Sequence, residues 1–414
     1  MNLEKRFAGG LVKLLNFSRE KGNRMTLQEK TTLFLTSIEG ILKKQRRLYL
    51  RSMRRLSLCF TLCLLGSMVQ GQDFSNKPLA VAYMQDVRGI DSAQSWSLSV
   101  LPFLRNTEFF HYQQRGRTTM GAMSRLLWQQ GDALRMEVGL LVHHVFGGDS
   151  HVLPHLAAVQ QIGEKGDWSW RFGTLNNPGH GLVEPLYNPD LWLRRPAEYG
   201  LQLQGNNMDL WWSWDRAIEK ESPFKEAFTM GMVTNPSFEV IPNVAVGPSV
   251  QIQFHHVGGQ IDNAPPQPTG NRFDGAIGLH LMHEGSVHSR IEWLQLFYAD
   301  PDQRFSQVSQ GKGQWLSLSQ KKPLNAGSHL RWGLAHWQGQ KFLSVNGQGI
   351  YQYMDLISLP VMPENQWLKC SFRWEKALTD DAMHGQLSFG VDQYLDLFSK
   401  QWSPVMSLAY GLSL

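Results

Sequence analysis

Apolar and polar residues alternate with a period of two along most of the chain after residue 130. In LRMEVGLLVHHVFG, Met136, Val138, Leu140, Val142 and Phe146 share one side, and Arg135, Glu137, Gly139 and His143 take the other. In VAVGPSVQIQFHH, Val244, Val246, Pro248, Val250, Ile252 and Phe254 oppose Ala245, Gly247, Ser249, Gln251, Gln253 and His255. Side chains of a strand point alternately to its two faces, so the pattern predicts strands. The second segment is long enough to cross a bilayer at a tilt, which takes about 9–11 residues. WLKCSFRW and HGQLSFGVDQ repeat the alternation, and DWSWRFG, EYGLQLQG, MDLWWSWD, EAFTMGMVT, DGAIGLHLMH and SHLRWGLAH are shorter members. Turn-rich stretches such as GEKGD, GNN, EKESP and LTDDAMHG separate them.

A sandwich, a propeller and a membrane barrel all carry such alternation, and three features favour the barrel. One face is aliphatic and aromatic, whereas the other is Gly, Ser, Gln, His, Arg and Asp, as a barrel with a polar interior requires. All 15 Trp lie after residue 71, many at predicted strand ends, including Trp168, Trp170, Trp211, Trp212, Trp214, Trp315, Trp332, Trp337, Trp367 and Trp374. Amphipathic rings there suit the headgroup level of a bilayer. The last nine residues, MSLAYGLSL, still alternate, and a closed barrel must pair its last strand with its first because an open edge in lipid leaves backbone groups unsatisfied. At around 20 residues per strand plus turn, the expectation is an all-β fold, a closed antiparallel transmembrane β-barrel of roughly 14–18 strands. LAVAYMQDV, WSLSVL and FFHYQQ, between residues 73 and 130, read as barrel strands or, for the first, as a periplasmic arm.

Charge sharpens the picture. The chain has 414 residues, a net charge of +5 and 42% hydrophobic residues, but 14 of its 40 basic and only 4 of its 35 acidic residues fall in positions 1–71. The remainder, with 26 basic against 31 acidic residues, has no excess of cations for a nucleic-acid partner. Arg54 and Arg55 precede LSLCFTLCLLGSMV and then Val69-Gln70-Gly71: a basic segment, a short apolar run and a cleavable end, expected to be a secretory signal. Residues 1–52 are then an over-extended reading frame or a disordered or helical extension, 53–71 the signal peptide, and 72–414 the barrel. Only Cys370 remains after the signal, so no intramolecular disulfide forms there.

Two resemblances follow from particular residues. Tyr410, Leu412 and Leu414 are similar to the C-terminal signal of bacterial outer-membrane proteins, read by the barrel-assembly machinery, with a terminal Leu where Phe is commonest and Ala409 where Gly is favoured. The stretches LPFLRNTEFFHYQQRGRTTMGAM, LRMEVGLLVHHVFGG, WRFGTLNNPGHGLVEPLYNPDLWLRRPAEYGLQLQ and MDLWWSWDRAI resemble an uncharacterised, porin-like group of outer-membrane barrels of the Bacteroidota, with Asn-Thr-Glu-Phe-Phe at 106–110 and Leu-Val-Glu-Pro-Leu-Tyr at 182–187 as hallmarks. The resemblance covers about residues 100–235 and implies an outer-membrane location and a barrel of unassigned substrate.

Candidate chemistry is sparse. The insertion at 176–198 sets Glu184, Asp190 and Glu198 against Arg194, Arg195 and His180, as in a pore loop whose acids and bases set a transverse field, or else forms a structural cap. Alternation points Arg135, Glu137, Arg171, Gln202, Gln251, Gln253, Arg290, Arg331 and Arg373 into the lumen. His143-His144 and His255-His256 are adjacent pairs whose members face opposite ways, so neither pair chelates one ion; no metal or cofactor is expected. Gly179-His180-Gly181 lacks a serine at short spacing, and Gly-x-Ser-x-Gly, CxxC and HExxH are absent, so no enzyme is expected. The expectation is a porin-like channel for small polar solutes, with outer-membrane lipid as its surroundings. The alternatives are a barrel that binds or displays surface glycan, a secreted carbohydrate-binding β-protein and a barrel hydrolase.

Overall fold

The computed structural model describes residues 94–413, apart from 111–113, 115, 132–133, 163–167, 176–179, 192–197, 206, 218–223, 259–268, 302–307, 326, 354–363 and 381–382. The expected extension, signal peptide and LAVAYMQDV segment, and Leu414, lie outside the described residues.

Seventeen antiparallel strands run in chain order: β1 (Gln94–Thr107), β2 (Arg117–Gln130), β3 (Leu134–Val145), β4 (Ser150–Ile162), β5 (Trp168–Thr174), β6 (Tyr199–Gly205), β7 (Met208–Arg216), β8 (Ala227–Thr234), β9 (Phe238–Ile241), β10 (Val244–Val257), β11 (Gly270–His283), β12 (His288–Ala299), β13 (Gln310–Pro323), β14 (Ser328–Gln340), β15 (Glu364–Asp380), β16 (Met383–Asp396) and β17 (Trp402–Ser413). Sixteen of them close a ring, because β8 pairs directly with β10 and β17 pairs with β1; the four-residue β9 only prolongs β8 along β10. The seam joins Val100 to Leu412 and Leu104 to Leu408, so no edge is left open there. FFHYQQ forms no described strand: Phe109 and Phe110 belong to the β1–β2 link. LTDDAMHG is shorter as a turn than expected, with β15 running to Asp380 and β16 starting at Met383.

Link lengths separate the two ends. Links 108–116, 146–149, 175–198, 217–226, 258–269, 300–309, 341–363 and 397–401 lie at one end, and links 131–133, 163–167, 206–207, 235–243, 284–287, 324–327 and 381–382 at the other; every link longer than nine residues is at the first. Outer-membrane barrels carry their longer loops outside the cell, so the first end is extracellular; β1 begins and β17 ends at the periplasmic one.

The alternation sorts the faces as its period demands. On β3, Val138, Leu140 and Val142 are 54%, 49% and 45% exposed, whereas Glu137, Leu141 and His143 are 1–3% exposed. Exposed rows of aliphatic side chains around a closed ring form the lipid-facing band. Leu140→Arg, near the middle of β3, is therefore expected to cost about 2–4 kcal/mol in a bilayer. Urea unfolding in lipid vesicles reads this directly, and wild-type stability for the variant would remove the lipid-facing assignment.

Four tryptophans depart from the expected girdle. Trp211, Trp315, Trp337 and Trp367 point inward and are almost wholly buried. Two long loops explain why, since both fold into the ring. Leu175, Leu182, Val183, Leu186 and Tyr187 of the β5–β6 loop and Phe342, Ile350 and Tyr351 of the β14–β15 loop pack with these indoles as one apolar core. Burying several such side chains, each worth about 1.5–3 kcal/mol, gives the loops a reason to stay inside.

Candidate functional site

The loops are tied to the wall and to each other. Val183 N–H donates to Gln251 Oε1 at 2.9 Å, Gln253 Nε2 to the Leu186 carbonyl at 3.0 Å, and Val345 N–H to Asp274 Oδ2 at 3.1 Å. Between the loops, Asn188 N–H reaches the Asn346 carbonyl at 2.6 Å, and Gln348 N–H the Glu184 carbonyl at 3.0 Å. A buried loop must satisfy its backbone groups somewhere, and inward glutamines of β10 serve that need.

Glu184 and Asp190 have separate partners. Glu184 accepts from Tyr351 Oη at 3.0 Å, Tyr394 Oη at 3.3 Å and the Lys369 ammonium. Asp190 accepts from Arg105 Nε at 2.8 Å and Gln114 Nε2 at 3.3 Å. The acids of the insertion thus meet bases of the barrel wall. Arg194 and Arg195, expected opposite them, lie outside the described residues.

The wall residues also separate into groups. Glu137 collects Arg171 at 2.9 Å, Arg135 at 2.9 Å, Arg125 at 3.3 Å and His155 Nε2 at 2.8 Å. Arg331 and Arg373 lie directly opposite each other on β14 and β15, and Arg331 pairs with Glu375 at 3.2 Å. On the terminal strand, Tyr410 faces outward and Gly411 inward.

His180 occupies a closed arrangement. Two successive left-handed residues, His180 (φ 46°) and Gly181 (φ 74°), turn the loop inward. The imidazole stacks on Trp211 with centroids 3.8 Å apart and planes 2° from parallel. Its Nδ1 lies 3.0 Å from Asp209 Oδ2 and its Nε2 2.8 Å from Glu198 Oε2. Burial works against its charge, yet the two carboxylates hold its pKa up to about 9. Burial also raises Glu198, against the pull of His180. With both nitrogens engaged, this ring is a structural cation and has no lone pair to offer a substrate. Its contribution to folding is full below about pH 6.5, the value in an unfolded chain, and is lost as the pH climbs through about 9. Unfolding midpoints at about pH 6 and pH 10 should therefore differ more for the wild type than for His180→Gln; equal alkaline losses in both would disprove the assignment.

Unbonded polar atoms gather at the extracellular ends of β1, β2 and β3. Neither ring nitrogen of His143 has a hydrogen-bond partner among the described residues, nor has Thr119 Oγ1 or Gln114 Oε1, and all are buried. Most buried polar groups in proteins are paired with protein or with water, so these atoms are left for solvent or a ligand to pair. Register brings them together: Arg105 lies opposite Thr119, Gly121 opposite both Phe103 and His143, and His143 opposite His151. Thr119 and His143 are thus diagonal neighbours on one inward face, about 7–8 Å apart at their Cα atoms. Gly121 keeps the space open. A Cβ there would lie 2.6 Å from the Phe103 ring, 2.6 Å from the Val142 carbonyl and 2.9 Å from His143 Cβ.

This place is where the two sequence hallmarks meet. Arg105 immediately precedes the Asn106-Thr107-Glu108-Phe109-Phe110 stretch and holds Asp190, which follows Leu182–Tyr187. Phe109 itself packs with Leu182, Leu186 and Tyr187, and its ring lies 5.4 Å from Tyr394. The sequence places His143 on the polar face of its strand, beside His144; its spatial partners come from the strand register, which no local motif records.

Among solved structures, the chain is similar to the outer membrane protein OprD from Pseudomonas aeruginosa (10% identity, 84% of this chain and 98% of that one, TM-score 0.45). It is also similar to OccK5 (OpdH) of P. aeruginosa (11%, 78% and 98%, 0.42) and to a loop-deletion mutant of OmpT of Vibrio cholerae (8%, 78% and 100%, 0.43). These likenesses are too distant to carry an argument, and the barrel stands on its own hydrogen-bonded closure. No curated protein matches the chain in sequence. A family model described as Lipid A 3'-O-deacylase-type does match, over residues 91–414. The expectation that the chain is not an enzyme is corrected by this match, because a deacylase family is a family of enzymes. That expectation rested on the absence of local catalytic motifs, and groups that strand register brings together leave no such motif in the sequence. The chain belongs to the lipid A 3'-O-deacylase-type family.

Proposed function

We propose that the protein is an outer-membrane hydrolase that releases an ester-linked acyl chain from lipid A or a closely similar acylated glucosamine lipid. The family match over residues 91–414 carries this reading. The cluster at the extracellular ends of β1–β3 supports it, since the outer leaflet, where lipid A resides, adjoins that end. His143 is the general base: its ring is buried and both nitrogens are uncommitted among the described residues. A water held between His143 and the Thr119 hydroxyl gives its proton to the imidazole and attacks the acyl carbonyl. The ester C–O bond breaks, the proton passes to the sugar oxygen, and a fatty acid and a free sugar hydroxyl leave. Arg105, fixed by Asp190, places a positive charge beside the carbonyl oxygen as it becomes negative.

The passive channel for small polar solutes finds less support, because two loops share an apolar core inside the ring. Tyr410 and Leu412, on the outer face of the closing strand, keep their proposed part in assembly. The test is mass spectrometry of lipid A after incubation with the folded protein in detergent. Loss of one ester-linked acyl chain is expected, and unaltered lipid A would refute the reading.

A further inference from the structure

Besides the outward-facing, exposed His144–Ser150 contact, hydroxyl groups meet imidazoles at two inward places among the described residues. At the first, near the extracellular end, Thr229 Oγ1 lies 2.7 Å from Asp215 Oδ2 and 2.9 Å from His255 Nδ1. An ionised carboxylate only accepts, so Thr229 gives its single proton to Asp215 and takes one from His255 Nδ1–H. That ring cannot deprotonate the hydroxyl.

The second place has the opposite polarity. Ser249 Oγ donates to Glu292 Oε1 at 2.7 Å, and Arg290 Nη2 donates to the same oxygen at 2.6 Å. The Ser249 oxygen then accepts from His280 Nδ1–H at 3.1 Å, which leaves the lone pair of the neutral ring on Nε2. Ser237 Oγ–H points to that lone pair at 2.8 Å. The chain of acceptors, fixed at its acidic end, makes Nε2 the base that faces Ser237. Gly247 lets the parts approach: a Cβ there would lie 1.8 Å from the Pro236 carbonyl and 2.9 Å from His280 Cε1.

We propose that Ser237 is the nucleophile of a second site in this protein, activated by His280 and facing the periplasmic side, where it takes acyl groups from ester lipids of the inner leaflet. Ser237 lies in the short β8–β9 link and is only partly buried. It adjoins Phe238, Val240 and Ile241, each at least 60% exposed, so an acyl chain at the membrane surface has an apolar landing place beside the hydroxyl. In the reaction Ser237 Oγ bonds to the acyl carbon, its proton moves to His280 Nε2, and the lipid alcohol leaves with that proton. Water, deprotonated at the same nitrogen, then releases the fatty acid and restores the hydroxyl. Ser249 and Glu292 are positioning residues, acting through the ring. The site is independent of His143, which lies on β3 at the other end of the barrel.

An alkyl fluorophosphonate tests this on the folded barrel in detergent, with the modified peptide located by mass spectrometry. Attack by Ser237 forms the O–P bond as fluoride leaves, so the adduct mass falls on that residue. Labelling should vanish in Ser237→Ala and slow about 10²-fold in His280→Gln. Ser249→Ala should slow it as well, and Ser249→Thr, which keeps the relaying hydroxyl, should restore it. Absence of an adduct at Ser237 in protein that still shifts on heating, or a rate indifferent to His280→Gln, would overturn the proposal. Loss of lipid A deacylation in His143→Ala with labelling intact separates this site from the one proposed above.

Discussion

Replacing His143 by Ala is expected to lower acyl release from lipid A about 10²- to 10⁴-fold, the range over which a positioned general base acts. The barrel should still run as a folded, heat-modifiable species on an unheated gel. Two observations separate these outcomes. Neither nitrogen of His143 has a hydrogen-bond partner among the described residues, so the fold loses no hydrogen bond of theirs with the ring. Its packing is also modest, a stack on the exposed His151 ring with centroids 4.9 Å apart. His155 is the useful contrast: its Nε2 is 2.8 Å from the buried Glu137, so its removal should weaken the barrel before it touches any reaction. Thr119→Val, nearly equal in volume, should reduce the rate by a smaller factor, because it removes one contact to the attacking water and leaves the base. Full activity in His143→Ala would exclude the extracellular ends of β1–β3 as the reaction centre.

The barrel itself was open to reading because lipid imposes period two on every strand. For Met136, Val138, Leu140 and Val142 against Glu137 and His143, face follows from parity alone, and the structure keeps that parity across β3. The interior was much less open to it. Trp315 and Trp337 sit on strands like any girdle tryptophan, and only the arrival of Ile350 and Tyr351 from a loop makes them core. Likewise, His143 opposite Gly121 and His151 is a fact of register between β2, β3 and β4, set by turn lengths and packing. The alternation of one strand says which way a side chain points but not what it meets. Glu184 and Asp190 illustrate both halves of this. Their place in an unusual loop marked them as candidates, yet their partners Lys369, Tyr394 and Arg105 come from β15, β16 and β1.

The second large effect is expected at that loop. Lys369→Met should destabilise the inward position of the β5–β6 loop by about 3–5 kcal/mol, the cost of stranding a buried charge. Lys369 is the cation between Glu184 and Asp392, the latter at 3.6 Å, and it also lies 5.3 Å above the Tyr394 ring. Without it, two nearly buried carboxylates face each other's field, and among the described residues the Tyr351 and Tyr394 hydroxyls remain as the side-chain donors to Glu184. Glu184→Gln in the same molecule removes one of those charges while retaining a carbonyl for the tyrosines, so the double variant should recover most of the loss. Limited proteolysis within residues 175–198 and single-channel conductance report the two consequences together. Release of the loop would expose it to cleavage and open the ring to ions, so a porin-like conductance belongs to the Lys369→Met variant and a low one to the wild type. A conducting wild type, or a single variant as protease-resistant as its parent, would mean that the Glu184–Lys369 pair does not hold the loop inside.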